Sequence, residues 1–485
     1  LPNPEGGARE LFVMHETAFL TVTGLADLLR HGEIGPVQLT EQLLERIEEF
    51  DGKLNAFRVL TRDRALAEAE AAEAALRSGR EVGVLHGVPY AVKDLFDVKG
   101  VSTSAGTHLL DQNAAASDCA VVRRLSQAGM VLLGKTHTVQ FAFGGVGINH
   151  DQGTPHNPWQ AEAYAPGGSS SGSAVAVASG MVPAALGSDT GGSVRIPAAL
   201  CATVGLKTTV GRISRMGVYP LSWTLDSVGP LTRSVEDAAL LFSAMQGPDW
   251  GDDTTLAVPM QDVLTDLKAG VKGLRVVFGE SIFFDGVDPE VAAAVWNTGD
   301  VFKALGAHVD RMAVPEADEA FASRKRALMI AAEACVVNQP FLDEHFDALD
   351  PVVSQRMIAG RTMTAPDYAG LLRQWGELRK RVVRTLQDVD ALIVPTTMIP
   401  ARPLNEIDVD VDTYMAYNGQ YLRNTSIGNI LNLCGVSVPC GFTSQGLPIG
   451  LMVYAKPFQE AKALRVSYAY EQATPWHDRH PTLPR

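Results

Sequence analysis

Cysteine is scarce in this chain, and nothing in the sequence pairs it. Cys119, Cys201, Cys335, Cys434 and Cys440 are scattered through 485 residues and odd in number. No CxxC or metal-ligand spacing occurs, so a reduced, cytoplasmic setting fits better than a disulfide scaffold. No apolar run is long enough to span a bilayer. Leu1 to Met14 lacks the basic region and apolar core of a signal peptide. Positive charge is in deficit, with 41 Lys and Arg against 55 Asp and Glu, a net charge of −14. That balance argues against a nucleic-acid backbone or an anionic membrane as the main partner, and leaves a transient RNA contact open. Internal repeats and domain linkers are absent as well, so the chain reads as one domain over 1–485.

What is present is a globular composition, 46% hydrophobic and 20% charged, with length enough for a large buried core. Apolar residues at i, i+3, i+4 spacing run from Thr23 to Glu49 and break at Gly32 and Gly35-Pro36, which predicts two helices. Leu60 to Ser78 predicts a third, so residues 1–80 form a helical N-terminal part. Val88–Val92 and Met130–Leu133 read as buried strands, with a helix over Ala120–Ala128 between them. Ser234 and Asp237 form a capping box ahead of another helix. Strands are expected at Leu274–Phe278, Ala307–Met312, Ala391–Pro395, Val436–Pro439 and Ile449–Tyr454. Helices are expected over Pro289–Leu305, Pro366–Leu386 and Ala461–Ala473, and Arg379, Lys380, Arg381 and Arg384 should form a solvated basic face. The alternation argues α/β.

The most informative stretch is Gly167 to Arg195, GGSSSGSAVAVASGMVPAALGSDTGGSVR. Two Gly/Ser runs flank one small-residue apolar segment, Ala174 to Ala185. Glycine lets backbone N–H groups converge on a ligand, and serine supplies hydroxyls. Ser169 and Ser193 thus stand on two backbone-rich turns, an arrangement that suits a nucleophile beside an oxyanion hole. A flexible Gly/Ser linker is the bland alternative, but a linker would not enclose such a segment. Lys93, by itself, reads as a surface lysine at a strand end.

Two motif matches are decoys. Gly129 to Thr136 fits GxxxxGK[ST], yet its four variable positions are Met-Val-Leu-Leu, which read as a strand instead of a phosphate loop. Gly168 to Gly172 fits GxSxG, yet Ala161 to Pro166 makes a poor strand ahead of it. Phe141 to Asn149, FAFGGVGIN, reads as a glycine-rich loop near the site.

An ordered set of motifs carries a resemblance: VKD at 92–94, PGGSSSGSA from Pro166, GSDTGGSVRIPA from Gly187, GLKTTVGRIS from Gly205 and SVPCGF from Ser437. The chain resembles the amidase signature enzymes, most strongly over Leu85 to Ala239 and again over Asp390 to His480. The resemblance implies a central mixed, twisted β-sheet with helices on both faces, a signature core over 85–240 and a variable pocket region over 283–423. It implies a Ser–cisSer–Lys triad in which Ser193 is the nucleophile, Ser169 the bridging serine and Lys93 the base. Backbone N–H groups of Thr190, Gly191, Gly192 and Ser193 would form the oxyanion hole, with Asp189 and Arg195 supporting the turn. Phe143, Gly144, Gly145 and Val146 are the expected substrate-binding residues. No metal or organic cofactor is implied, and a homodimer stays open. The expected reaction is hydrolysis of a small-molecule amide, anilide or carbamate. The glutaminase component of the glutamine-dependent tRNA amidotransferase is the alternative within the family. Against it, Gly144 to Ile148 is apolar, and Tyr421 to Asn424 lacks an acid to hold the glutamine amino group. A non-catalytic binding protein on the same fold is the alternative of another class.

Overall fold

The computed structural model describes residues 17–323 and 326–483. The expectation of no leader at Leu1 to Met14 lies outside the described residues. The chain opens with helices α1 (Val22–His31) and α2 (Pro36–Leu54), strand β1 (Phe57–Leu60) and α3 (Arg62–Arg77). Then come β2 (Pro89–Lys93), α4 (Ala120–Gln127), β3 (Val131–Thr136), α5 (Ser171–Ala178), β4 (Ala184–Asp189), α6 (Arg195–Cys201), β5 (Val204–Lys207), β6 (Ser227–Thr232) and α7 (Val235–Met245). A second α/β stretch holds β7 (Arg275–Gly279), α8 (Pro289–Ala304) and β8 (His308–Met312). Helices α9 (Pro315–Ala322), α10 (Arg326–Val337), α11 (Gln339–Glu344), α12 (Pro351–Ala359) and α13 (Ala365–Thr385) follow. The chain closes with β9 (Ala391–Pro395), α14 (Leu404–Ile407), α15 (Val411–Ile430), β10 (Cys434–Phe442), β11 (Pro448–Ala455) and α16 (Glu460–Gln472). Among the described residues, no helix is long and apolar enough to cross a membrane.

All eleven strands join one mixed sheet in the order β1-β3-β2-β4-β6-β5-β10-β11-β9-β7-β8. β2 runs parallel to β3 and β4, and β7 runs parallel to β8 and β9, while the centre is antiparallel. Strands β2 to β6, β9 and β11 are buried along their whole length. Burial of successive residues on both faces reflects helices covering the sheet, not period-2 alternation. The edge strand β8 is the exception: His308, Asp310 and Arg311 face solvent, and such charges blunt an open edge against further pairing.

The small-residue segment of the signature stretch is not one element. It splits into α5 and β4, separated at Gly180, whose φ of +72° reverses the chain. Arg46 of α2 donates to the Ser179 carbonyl at 2.7 and 3.2 Å, satisfying an end of α5 from outside the segment. Ser179-Gly180 and Pro183 are the local signals of that break, which the reading of the segment as one piece passed over.

Ser234 caps α7 as expected, accepting from the Asp237 N–H at 3.1 Å. The Asp237 carboxylate does not complete the box. It accepts from the backbone N–H groups of Val22 and Thr23 at 3.0 and 3.2 Å, in the first turn of α1. The basic cluster on α13 is also divided: Lys380, Arg381 and Arg384 are exposed, but Arg379 is half-buried and donates to the Ile430 carbonyl at the end of α15 at 2.8 Å. An orphan helix-end carbonyl makes a better partner for that guanidinium than water.

Glu471 on α16 accepts from the Val235 N–H at 2.9 Å, and burial pushes its carboxyl up to about 8. Its folded-state value lies above the unfolded one, so the folded chain holds a proton the unfolded chain releases, and stability falls as pH rises towards 8. Between pH 5.5 and 8.5 the melting temperature of Glu471→Gln should therefore fall by at least ~2 °C less than that of the parent. Equal slopes in a pH series of thermal melts would show that Glu471 does not titrate there.

Candidate active site

Lys93 ends the buried strand β2 and is fully inaccessible. Its Nζ donates to Ser169 Oγ at 2.7 Å and to Ser188 Oγ at 3.0 Å. The surface-lysine reading of that segment is thereby replaced. Burial lowers the Lys93 ammonium to about 7, with the charges of Asp226 and Asp189 partly opposing the shift. Two other lysines are equally buried. Lys135 pairs with Asp94 and donates to the Ser102 carbonyl at 2.7 Å, and Lys207 donates to the carbonyls of Thr208 and Leu433. Of the three, only Lys93 reaches a serine hydroxyl. Lys135 belongs to the phosphate-loop decoy, whose residues 131–136 are strand β3.

Ser169 follows a cis peptide bond from Gly168 and sits just ahead of α5. A Cβ on Gly168 would lie 2.8 Å from the Gly147 nitrogen, so the two loops touch backbone to backbone. Ser193 occupies the turn between β4 and α6 and is 5% exposed. The Ser170 N–H donates to the Ser193 carbonyl at 3.1 Å and joins the two serine turns.

The Ser193 turn is closed by an ion pair. Asp189 ends β4 and Arg195 begins α6, and both are fully buried. Asp189 accepts from Arg195 Nε and Nη2 at 3.0 and 2.9 Å, from the Val194 N–H at 3.1 Å and from Asn429 Nδ2 at 2.8 Å. Burial would raise this carboxyl, but the Arg195 charge and these donors outweigh it and hold it far below the usual carboxylate range. Gly192 takes φ +140°, and a Cβ there would lie 2.2 Å from Thr425 Oγ1. Thr425 itself donates to the Gly191 carbonyl at 2.7 Å. Among the described residues, the N–H groups of Gly191, Gly192 and Ser193 donate to no protein acceptor. They form a row of donors that a developing negative charge could use.

The loop residues separate. Phe143 lines a cavity of about 340 Å³ that also touches Thr190, Gly191 and Leu225. Gly145 donates to Asn418 Oδ1 at 2.8 Å and accepts from the Gly168 N–H. Gly144 packs against Tyr414 and Val139. Val146 is fully buried in a core cluster with Ile148, Ile196 and Tyr421, away from the cavity wall.

Sequence reasoning missed three parts of this site. Ser188 shares Lys93 with Ser169. Asp226 accepts from Thr190 Oγ1 and from the N–H groups of Leu221 and Ser222. Helix α15 supplies Asn418, Leu422, Thr425 and Asn429. Its buried residues mix Asn418, Arg423, Asn424, Thr425 and Asn429 with Tyr414, Tyr421, Ile427 and Ile430, which blurs the apolar periodicity that would have revealed it. The N-cap Asp410, which accepts from the Thr413 N–H at 2.7 Å, was the available signal.

Known proteins share this architecture and sequence. The family profile described as Amidase matches residues 38–464. An amidase of Pseudomonas putida is 41% identical over 469 residues, covering 96% of this chain and 98% of that protein. A Glutamyl-tRNA(Gln) amidotransferase component of Gloeobacter violaceus is 38% identical over 477 residues, covering 93% and 96%. The solved structure of the native peptide amidase from Stenotrophomonas maltophilia matches with a TM-score of 0.80 at 28% identity, covering 96% of this chain and 98% of that one. With a profile match over most of its length and relatives of this identity, the chain belongs to the amidase family, enzymes that hydrolyse C–N bonds.

Proposed function

We propose that the protein hydrolyses an amide, anilide or carbamate through an acyl-Ser193 intermediate, with Ser169 as bridge and Lys93 as base. The observation that carries this reading is the buried Lys93 ammonium, lowered to about 7 and bonded to Ser169 next to the Ser193 turn. Serine is a poor nucleophile until a base removes its proton. Neutral Lys93 takes the Ser169 proton, and Ser169 takes that of Ser193. Ser193 Oγ then bonds to the scissile carbonyl carbon. The resulting oxyanion meets the N–H groups from Thr190 to Ser193, each such donor contributing roughly 3 kcal/mol to the barrier reduction. The leaving nitrogen receives the proton back through Ser169 as the C–N bond breaks, and water releases the acyl group by the same route. Asp189 and Arg195 hold the turn and do not react.

The cavity wall argues against free glutamine, whose ammonium finds no carboxylate there. Leu225, Ile330, Trp375, Leu422 and Ile430 line it, and none of its lining residues is a carboxylate. Free glutamine would bring an ammonium with no counter-charge there. The amidotransferase reading keeps support from the 38% identical relative in Gloeobacter violaceus. The five cysteines, all free and buried, fit a reducing cytoplasmic setting.

Ser193→Ala should retain its circular dichroism spectrum and lose at least ~10³-fold in kcat; surviving turnover would mean the nucleophile is another group. For the parent, kcat/KM should rise through pH 7 and level off above pH 8, because only the neutral amine of Lys93 can accept a proton. A flat profile from pH 6 to 9 would remove Lys93 as base. In a turnover panel, anilide or carbamate hydrolysis lost in Ser193→Ala would support the stand-alone reading. Turnover of glutamine alone would support the amidotransferase reading. Absence of both turnover and fluorophosphonate labelling would favour a binding protein.

A further inference from the structure

The strand order β2-β4-β6 sets Lys93 and Asp226 on opposite sides of one strand end. Lys93 closes β2, Ser188 and Asp189 close β4, and Asp226 stands one residue ahead of β6. The antiparallel register pairs Asp189 with Ser227, so Asp226 comes beside Thr190. Ser188 Oγ accepts from Lys93 on one side of β4 at 3.0 Å. Two residues on, Thr190 Oγ1 donates to Asp226 Oδ1 on the other. A cavity of about 150 Å³ touches both Ser188 and Asp226.

Asp226 is half-buried on that cavity. Its second oxygen accepts from the N–H groups of Leu221 and Ser222, each at 2.9 Å. Three donors on two oxygens suit an ionised carboxylate. Burial pushes the carboxyl up, and these donors and the charge of Arg215 oppose the shift. Among the described residues, Asp226 makes no ion pair. Arg215 lines the same cavity, but its guanidinium pairs with Asp252 and meets Asp226 only at the backbone carbonyl, at 3.4 Å. Asp189 is taken up by Arg195, and Lys207 of β5 adds a further positive charge to it. Glu333 of α10 is occupied by the hydroxyls of Ser222, Thr224 and Tyr368.

When Lys93 takes the Ser169 proton, a full positive charge forms in a pocket closed to solvent, where hydroxyls are its direct partners. Hydroxyls bond to an ammonium but do not cancel its charge. Of the two carboxylates that favour this ammonium, Asp226 acts more strongly than Asp189, and it has no cation of its own. We infer that Asp226 is a positioning residue for the reaction: its unpaired carboxylate stabilises the ammonium that Lys93 becomes, and its bond to Thr190 ties that charge to the oxyanion turn. The inference rests on the reading of Lys93 as base.

The test is the rate of Ser193 labelling by a rhodamine-tagged fluorophosphonate between about pH 5.5 and 9.5. In that reaction Ser193 Oγ bonds to phosphorus, fluoride leaves, and the serine proton passes through Ser169 to Lys93. Without the Asp226 charge, Lys93 loses its proton at lower pH and its ammonium is costlier to form. The midpoint of the Asp226→Asn profile should therefore fall by at least ~0.5 pH unit, and its plateau rate by at least ~10-fold. Asp226→Glu, which keeps the charge, should bring the midpoint at least halfway back to that of the parent. If Asp226→Asn does not fold, Asp226→Ser, also neutral, takes its place. A midpoint unmoved or raised in the neutral variant, a plateau equal to that of the parent, or an Asp226→Glu midpoint left at the neutral variant's value would overturn the inference and leave the hydrolase reading standing. A parent that is not labelled, is labelled equally after Ser193→Ala, or shows a flat profile would remove the base assignment and this inference with it.

Discussion

The Asp189–Arg195 pair is the interaction on which the rest of the site depends. Its members flank the turn that carries Ser193, so the pair sets the turn's width directly. Each charge is fully buried, and the transfer out of water costs several kcal/mol per ion unless partners are complete. Completion comes from distant elements. Asn429 bonds to both members, Tyr454 Oη accepts from Arg195 at 2.7 Å, and the Thr425 carbonyl accepts from Arg195 at 3.1 Å. β4, α6, α15 and β11 are thus tied at one point. Removal of either charge would leave the other buried and unpaired, a loss of about 3–5 kcal/mol. The pair serves geometry more than net stability.

Lys93 shows the same physics used in the opposite direction. Its ammonium is buried among hydroxyls, with no carboxylate bonded to it, so desolvation outweighs the attraction of Asp226 and Asp189. Lys135, with Asp94 as counter-ion, is the structural contrast: it is equally buried and paired. A lysine near neutrality is a usable base at physiological pH. The difference lies in what meets the amine, which strand position does not express.

Much of the architecture was legible in the chain. The strands around Val88–Val92, Leu274–Phe278 and Ala391–Pro395 fell within a residue or two, because buried β-branched runs bounded by glycine or proline admit few alternatives. The two halves of Thr23–Glu49 separated where Gly32 and Gly35-Pro36 required it. Legibility failed where an element's local pattern was silent. The signature segment is different: it read as one piece although Gly180 and Pro183 mark its break. α15 went unread because it buries polar residues among apolar ones, which blurs the periodicity. Asp237 was assigned to its own helix, though its carboxylate serves α1 more than two hundred residues away.

By itself, the sequence determined the order of motifs, the class of fold and which serines and lysine stand as candidates. Those depend on residue type and short spacing, which the chain carries locally. Tertiary structure decided which of three buried lysines meets a serine, and what holds the Ser193 turn. It also gathered an apolar cavity from α10, α12, α13 and α15 and brought three arginines to its wall. Burial, and the pairing or non-pairing of charge that burial makes costly, arises only when distant segments displace water together; no single stretch of sequence contains it.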